Sequence, residues 1–285
     1  MVKKPMNRKI LSGFFSNFTG IVGIFLLSAI LLLAVFAPVF TQHDPVVSNL
    51  KVKLQPPLAD PNYVFGTDQL GRDIFSRLVF GARVSMFVGI ASTLISCVLG
   101  VALGLMSGFF GGWFDNIVTY LCDVMLSIPF IVLVIAVIAI LGSGTVNVII
   151  TLGLSGWVQF AKIARSKALT MRNLEYVVSA ISTGASSKRV LFRHILPNTV
   201  PSIITMASFQ FAQMIIAEAS LSFLGMGIRP PAPSWGGMIS DGRSFMQTSW
   251  WLSAIPGIAI LLVVVSANLI GDWLREQNDK NITSF

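Results

Sequence analysis

Apolar runs without charge alternate along the chain with shorter polar stretches, and the pattern predicts six transmembrane helices. The first run is "GIVGIFLLSAILLLAVFAPVF", residues 20–40. At about 1.5 Å per residue it reaches about 31 Å, enough to cross a hydrocarbon core of about 30 Å. It is longer than the apolar part of a secretory leader, and Pro38 sits where a cleavage site would fall, so a retained anchor is expected. No charge occurs between Arg83 and Asp115, which gives a glycine-rich second span over 84–110. A third begins near Asn116, contains Asp123 and Pro129, and ends before "GSGT" at 142–145. The fourth runs from Val146 to about Arg165, the fifth follows Pro201 and contains Glu218, and the sixth covers Trp250 to Gly271. The organisation expected is an N-terminal segment 1–16, a first helix in 17–40, a polar, proline-bearing segment 41–81, a five-helix core 82–273 that includes a loop at 166–198, and a tail 274–285.

Composition agrees with this pattern. Charged residues make up 11% of the chain and hydrophobic ones 54%, whereas soluble domains carry about 25% charge. Six crossings put both termini on one side. That side would hold 13 of the 20 basic residues, seven of them between Lys162 and His194 beside a single acid, Glu175. The other seven lie near the opposite face with Asp44, Asp60, Asp68, Asp73 and Asp241. The positive-inside rule therefore places both termini and the loop in the cytosol, and segment 41–81 outside. The net charge of +8 belongs to those cytosolic segments, and no aromatic–basic pattern points to nucleic acid.

Catalytic chemistry is missing. No G-x-x-x-x-G-K-[ST] occurs, nor any Gly-Lys pair, and there is no triad, H-E-x-x-H helix or carboxylate pair. If ATP drives transport here, another subunit must hydrolyse it. Cys97 and Cys122 lack metal-ligand spacing and read as buried thiols, and His43 and His194 are far apart. Gly89, Gly100, Gly104 and Gly108 recur at about helical spacing, which suits close packing of helices in lipid. Pro129 and Pro256 are expected to kink or break their helices. Trp235, Trp250 and Trp251 are expected to anchor at the membrane interface.

The basic loop has an internal plan. "EYVVSAIST" from Glu175 favours helix, Gly184 breaks it, and Ser186 or Ser187 can cap a second short helix. Val190, Leu191, His194 and Ile195 share a stripe there, with Lys188, Arg189 and Arg193 mostly off it. Pro197 is expected to end that helix at Leu196. Such a helix–glycine–helix knob could enter a partner's groove, and an ordinary solvated basic loop is the other reading.

Ala180, Gly184 and Leu196-Pro197 resemble the docking loop of ABC importer permeases, the segment that meets the cytosolic ATPase. "GTDQLGRDIFSRLVFGARVS" (66–85), "GASSKRVLFRHILPN" (184–198), "EASLSFLGMGIRPPAPSWG" (218–236) and "NLIGDWLRE" (268–276) resemble, in order, the C-type permeases of dipeptide, oligopeptide and nickel importers. Where that family has Glu-Ala-Ala this chain has Val178-Ser179-Ala180, and Glu175 lies about one turn earlier.

The resemblance implies an all-α membrane protein with six transmembrane helices and the type I ABC importer permease fold, resident in a bacterial inner membrane. It implies a homologous second permease, two cytosolic ATPases that hold ATP and Mg, and an extracytoplasmic binding protein. Glu175, Ser179, Ala180, Gly184, Ala185, Ser186, Arg193, His194, Leu196 and Pro197 would then form the ATPase-coupling loop. Peptides are the first substrate class, and nickel or a metal chelate the second. Glu218, Ser222 and Asp123 are candidates for the translocation path or the permease interface, although Glu218 could instead pair with Arg229 and Asp123 could sit at a helix end. An ion-coupled transporter with Glu218 or Asp123 as proton carrier is the competing class, and the lack of an inverted repeat weighs against it.

Overall fold

A computed structural model describes the backbone of residues 18–282 and the side chains of 18–278. Among these residues there is no β-strand, only an isolated antiparallel bridge between Thr67 and Asp73. The long helices are α1 (Phe18–Val35), α2 (Ile74–Phe110), α3 (Gly112–Ser127), α4 (Phe130–Leu141), α5 (Thr145–Ser155) and α6 (Trp157–Met171). The short pair α7 (Glu175–Ser182) and α8 (Ser187–Val190) follows, then α9 (Leu196–Phe223), α10 (Trp235–Gly242) and α11 (Trp251–Ile282). Among the described residues five stretches are long and apolar enough to cross a membrane, and the pair α3–α4, bent by 92° at its break, makes a sixth when taken as one span. Pro129 marks that bend, standing in extended conformation between the two helices. Pro256, by contrast, lies inside α11 without ending it.

The glycines of α2 are where the bundle is tightest. A Cβ at Gly100 would sit 2.2 Å from the carbonyl oxygen of Trp157, one at Gly104 2.3 Å from that of Ala161, and one at Gly108 2.5 Å from that of Arg165. The seam thus presses the backbone of α2 against that of α6, and Ala161, Ala164 and Ala168 supply the small side chains opposite. Phe87, Ile90, Leu94 and Val98 of α2 are exposed, as an apolar stripe facing lipid would be. A second core joins α2, α9, α10 and α11 through Met86, Phe211, Ile215, Trp235, Trp251 and Leu252.

Helix α2 begins ten residues before its charge-free run. Asp73 caps it, accepting from the backbone N–H of Ser76 at 2.9 Å. Arg83 in that first stretch donates to Ala34 O at 2.7 Å, and Arg77 is neutralised by acids: Asp68 accepts from it and from Arg72 Nε at 2.6 Å, and Arg77 also donates to Asp241 at 3.0 Å. Asp68 and Arg77 are both buried, and Asp241 belongs to α10, so this cluster ties segment 41–73 to the far end of the chain. Removing one partner of a buried pair leaves the other charge uncompensated, at about 3–5 kcal/mol. Asp68→Ala is therefore expected to lower the thermal midpoint of the detergent-purified chain by several degrees; a midpoint unmoved by the change would show that the cluster contributes nothing.

Trp235 and Trp251 correct the expectation of interfacial anchors. Both are buried, and their indole N–H groups donate inward, Trp235 to Leu78 O at 2.9 Å and Trp251 to Thr67 O at 3.4 Å. A tryptophan whose N–H finds a carbonyl inside the fold has no need of the headgroup layer. Of the three, only Trp250 is exposed.

Candidate functional site: the loop between the fourth and fifth spans

Residues 172–195 fold onto the end of the bundle where α2 and α6 finish. Leu105 of α2 and Ala164, Ala168 and Met171 of α6 enclose Val177, Val190, Leu191 and Ile195 in one apolar cluster. Val177, Val190 and Ile195 are completely buried. Ala185 and Leu196 are partly buried against the same cluster. The loop is therefore seated by the membrane helices and cannot slide independently of them.

The bend between the short helices is a Schellman closure. Gly184 N donates to Ile181 O at 2.9 Å and Ala185 N to Ala180 O at 3.0 Å. Gly184 has φ +86°, which L side chains rarely adopt, and no atom lies within 4 Å of where its Cβ would be. Thr183 Oγ1 donates to the carbonyls of Ser179 and Ala180, each at 3.0 Å. Ser186 caps α8, its hydroxyl accepting from Arg189 N at 3.4 Å. Glu175 opens α7, where a negative charge suits the helix dipole. His194 is half-buried, and its ring centroid stands 6.1 Å from that of Tyr176, so the two arms of the hairpin touch.

One local expectation fails. Leu196-Pro197 does not end the helix: a π-helical turn, Leu191–Ile195, links α8 to α9, and Ser187–Phe223 runs as one element of 37 residues. The wide turn gives Pro197 room, and its missing N–H falls in the first turn of α9. Arg193 and Pro197 are exposed there.

Outward, the loop shows both charge and apolar surface. Lys188, Arg189 and Arg193 are exposed, and so are Tyr176, Val178, Ile181 and Phe192, the last at 68%. Sequence reasoning gave these four apolar residues no part. The signal available was that α7 has more apolar positions than the one stripe it can bury, and the structure buries Val177 alone of them. All four are apolar side chains left exposed on one short loop.

The membrane candidates separate. Glu218 is fully buried, accepting from Ser222 Oγ at 2.8 Å and Ser85 Oγ at 3.2 Å. Ser85 Oγ in turn accepts from Trp235 N at 3.2 Å. Glu218 and Ser222 thus join α9, α2 and the start of α10 inside this chain and face no open cavity. Arg229 does not pair with Glu218, since its Nε donates to Ser143 Oγ at 2.6 Å. Asp123 is exposed on α3 and borders a cavity of about 330 Å³ with Cys122, Lys162 and Arg165. At its edge Arg165 grips Asp115 through two bonds of 2.5 and 2.7 Å, pinning α6 to the first turn of α3.

Comparison with known proteins places this arrangement. A chain of the MetNI methionine ABC transporter in an inward-facing conformation superposes with TM-score 0.57 at 17% identity, covering 70% of this chain and 95% of that one, which relates the two folds. A dipeptide transport system permease protein of Alkalihalophilus pseudofirmus is 39% identical over 268 residues, 94% of this chain and 88% of the relative. An oligopeptide transport system permease protein of Bacillus subtilis is 37% identical over 94% of this chain and 88% of its own. A glutathione transport system permease protein of Pectobacterium atrosepticum is 44% identical over 77% of this chain and 73% of its own. Residues 7–57 match the N-terminal TM domain of oligopeptide transport permease C. Residues 100–284, which include the seated loop and the spans on either side of it, match the binding-protein-dependent transport system inner membrane component, and the chain belongs to that family.

Proposed function

We propose that this chain is a membrane-spanning permease subunit of an ATP-driven importer of di- or oligopeptides, that it catalyses no reaction itself, and that loop 175–197 is where an ATPase subunit docks. The observation that carries the substrate class is the identity to dipeptide and oligopeptide permeases along 94% of the chain. The observation that supports docking is a loop whose inner face is locked into the bundle while its outer face offers Tyr176, Val178, Ile181 and Phe192 beside three basic residues. ATP and Mg belong to two such ATPases on the cytosolic side. A homologous second permease completes the pathway, and a binding protein delivers substrate from outside. Both termini are cytosolic in a bacterial inner membrane, in keeping with the basic bias of that side.

Transmission follows from rigidity. The loop continues through the π turn into α9, so Ser187–Phe223, with Pro201 inside it, runs about 55 Å along its helical path. A push on α7 and α8 reaches Glu218 near the far end of α9, and from there α2 and α10 through Ser85 and Trp235 N. The cavity beside Asp123 is walled by α3 and α6, and the bend at Pro129 follows six residues further along the chain. Asp123 thereby stays a candidate for the path, while Glu218 and Ser222 act as a latch between helices.

Uptake of labelled dipeptide, in parallel with labelled nickel, in cells lacking the chain and in cells given it back tests this reading. Restored dipeptide uptake is expected. Restoration of nickel alone would move the substrate to metal, and continued uptake with ATP exhausted but the proton gradient intact would move the chain to the ion-coupled class.

A further inference from the structure

At the loop end of the bundle, α6, α9 and α11 enclose an open groove of about 590 Å³. Lys162, Lys167 and Arg275 border it, and none of them makes an ion pair among the described residues. Its apolar wall is Ile163, Met206 and Phe209. We propose that this groove binds the phosphate headgroup of an anionic phospholipid, with the lipid's glycerol and upper acyl carbons against the apolar wall.

Depth is the argument for a lipid over a soluble anion. The charge-free run of α11, Trp251 to Gly271, is 21 residues, about 31 Å, and so fills the hydrocarbon core. Arg275 and Asn278 follow four and seven residues later, about 6–10 Å beyond it, in the layer that headgroups occupy. Lys162 and Lys167 border the same groove, Lys167 five residues nearer the loop end of α6. Three cations on two helices, Lys162 and Lys167 on α6 and Arg275 on α11, border one space that reaches headgroup depth with carbon-rich side chains alongside, and so match the two halves of a phospholipid. A basic pocket between transmembrane helices at this level is a recurring form of headgroup site. The assignment does not depend on which substrate the chain carries.

The test uses the full chain in detergent, with phosphatidylglycerol or phosphatidylcholine added and retained lipid counted by native mass spectrometry. Each basic residue near an anionic headgroup contributes about fivefold in affinity. The double variant Lys167→Gln/Arg275→Gln is therefore expected to lose about twenty-fivefold in phosphatidylglycerol retention with phosphatidylcholine unchanged. Lys51→Gln/Lys53→Gln, which removes the same charge from the opposite end of the bundle, should retain the preference. If the double variant does not fold, the single substitutions should each lose about fivefold. Equal retention of the two lipids, or an unchanged preference in the variants, overturns the proposal. So does competition by glycerol 3-phosphate at matched concentration, which would make the site one for a free anion. Displacement by dipeptide would assign the groove to substrate and overturn it likewise.

Discussion

Gly104→Leu is expected to leave almost no folded chain in the membrane. An added Cβ at this position would lie 2.3 Å from Ala161 O, 2.8 Å from Ala161 Cα and 2.9 Å from Ala161 C. All three are backbone atoms of α6, so no rotamer change relieves the contact and the helices themselves must separate. Overpacking a core costs about 1–3 kcal/mol where side chains can shift; with backbone on both sides the upper end is a floor. Separation would also break the neighbouring contacts at Gly100 and Gly108, where Trp157 O and Arg165 O stand equally close. It would pull Leu105 from the cluster that seats the loop. Gly257→Ala is the matching control. This glycine lies inside α11, and a Cβ there meets nothing within 4 Å. Alanine should stabilise it by up to about 1 kcal/mol through helix propensity. Membrane level and thermal midpoint of both variants in detergent would check the pair. A Gly104→Leu chain as abundant and as stable as the parent would show that the α2–α6 seam is not the tight contact described.

The glycine seam was legible because helical spacing of small residues has one economical use in lipid. The spans were legible for a similar reason: hydropathy reports the cost of moving side chains into hydrocarbon. It does not report where a helix ends, and the discrepancies fall there. Arg83 bounded the apolar run in sequence, yet α2 continues back through it and through Arg77, because Arg83 donates to Ala34 O and Asp68 and Asp241 neutralise Arg77, Asp241 lying 164 residues away. Pro197 looked like a stop, but a π turn of five residues absorbs it. Trp235 and Trp251 carry a polar tip that sequence assigns to the interface, whereas carbonyls contributed by distant residues let them enter the core. Within the loop, the Gly184 bend and the Ser186 cap were readable because both are local. The exposure of Val178 and Ile181 was not, since it depends on Leu105, Ala164 and Met171 leaving room for Val177 alone.

Gly184→Asp is expected to abolish transport while the chain still inserts, folds and reaches its normal level in the membrane. The backbone there is left-handed at φ +86° and closes two hydrogen bonds of the bend, Gly184 N to Ile181 O and Ala185 N to Ala180 O. Aspartate enters this conformation more readily than most L residues, at a cost of about 1–2 kcal/mol. That strain is local, because the bend contributes only Ala185 to the cluster that seats the loop, and Val177, Val190 and Ile195 keep their burial. Among the described residues, its chain neighbours aside, no atom lies within 4 Å of where the new Cβ would stand. Gly184 is exposed, so the carboxylate would enter the contact if an ATPase docks on the loop as proposed. There it adds bulk where glycine left none, and a negative charge beside Lys188, Arg189 and Arg193. Gly184→Asn separates shape from charge: asparagine accepts the left-handed conformation and has nearly the same volume without the carboxylate. Loss of uptake in both variants at normal membrane levels would assign the defect to bulk at the contact, and loss in aspartate alone to charge. Both should also fail to retain the ATPase on co-purification. Normal uptake by Gly184→Asp would sink the docking role of the loop and leave the bend as a structural turn.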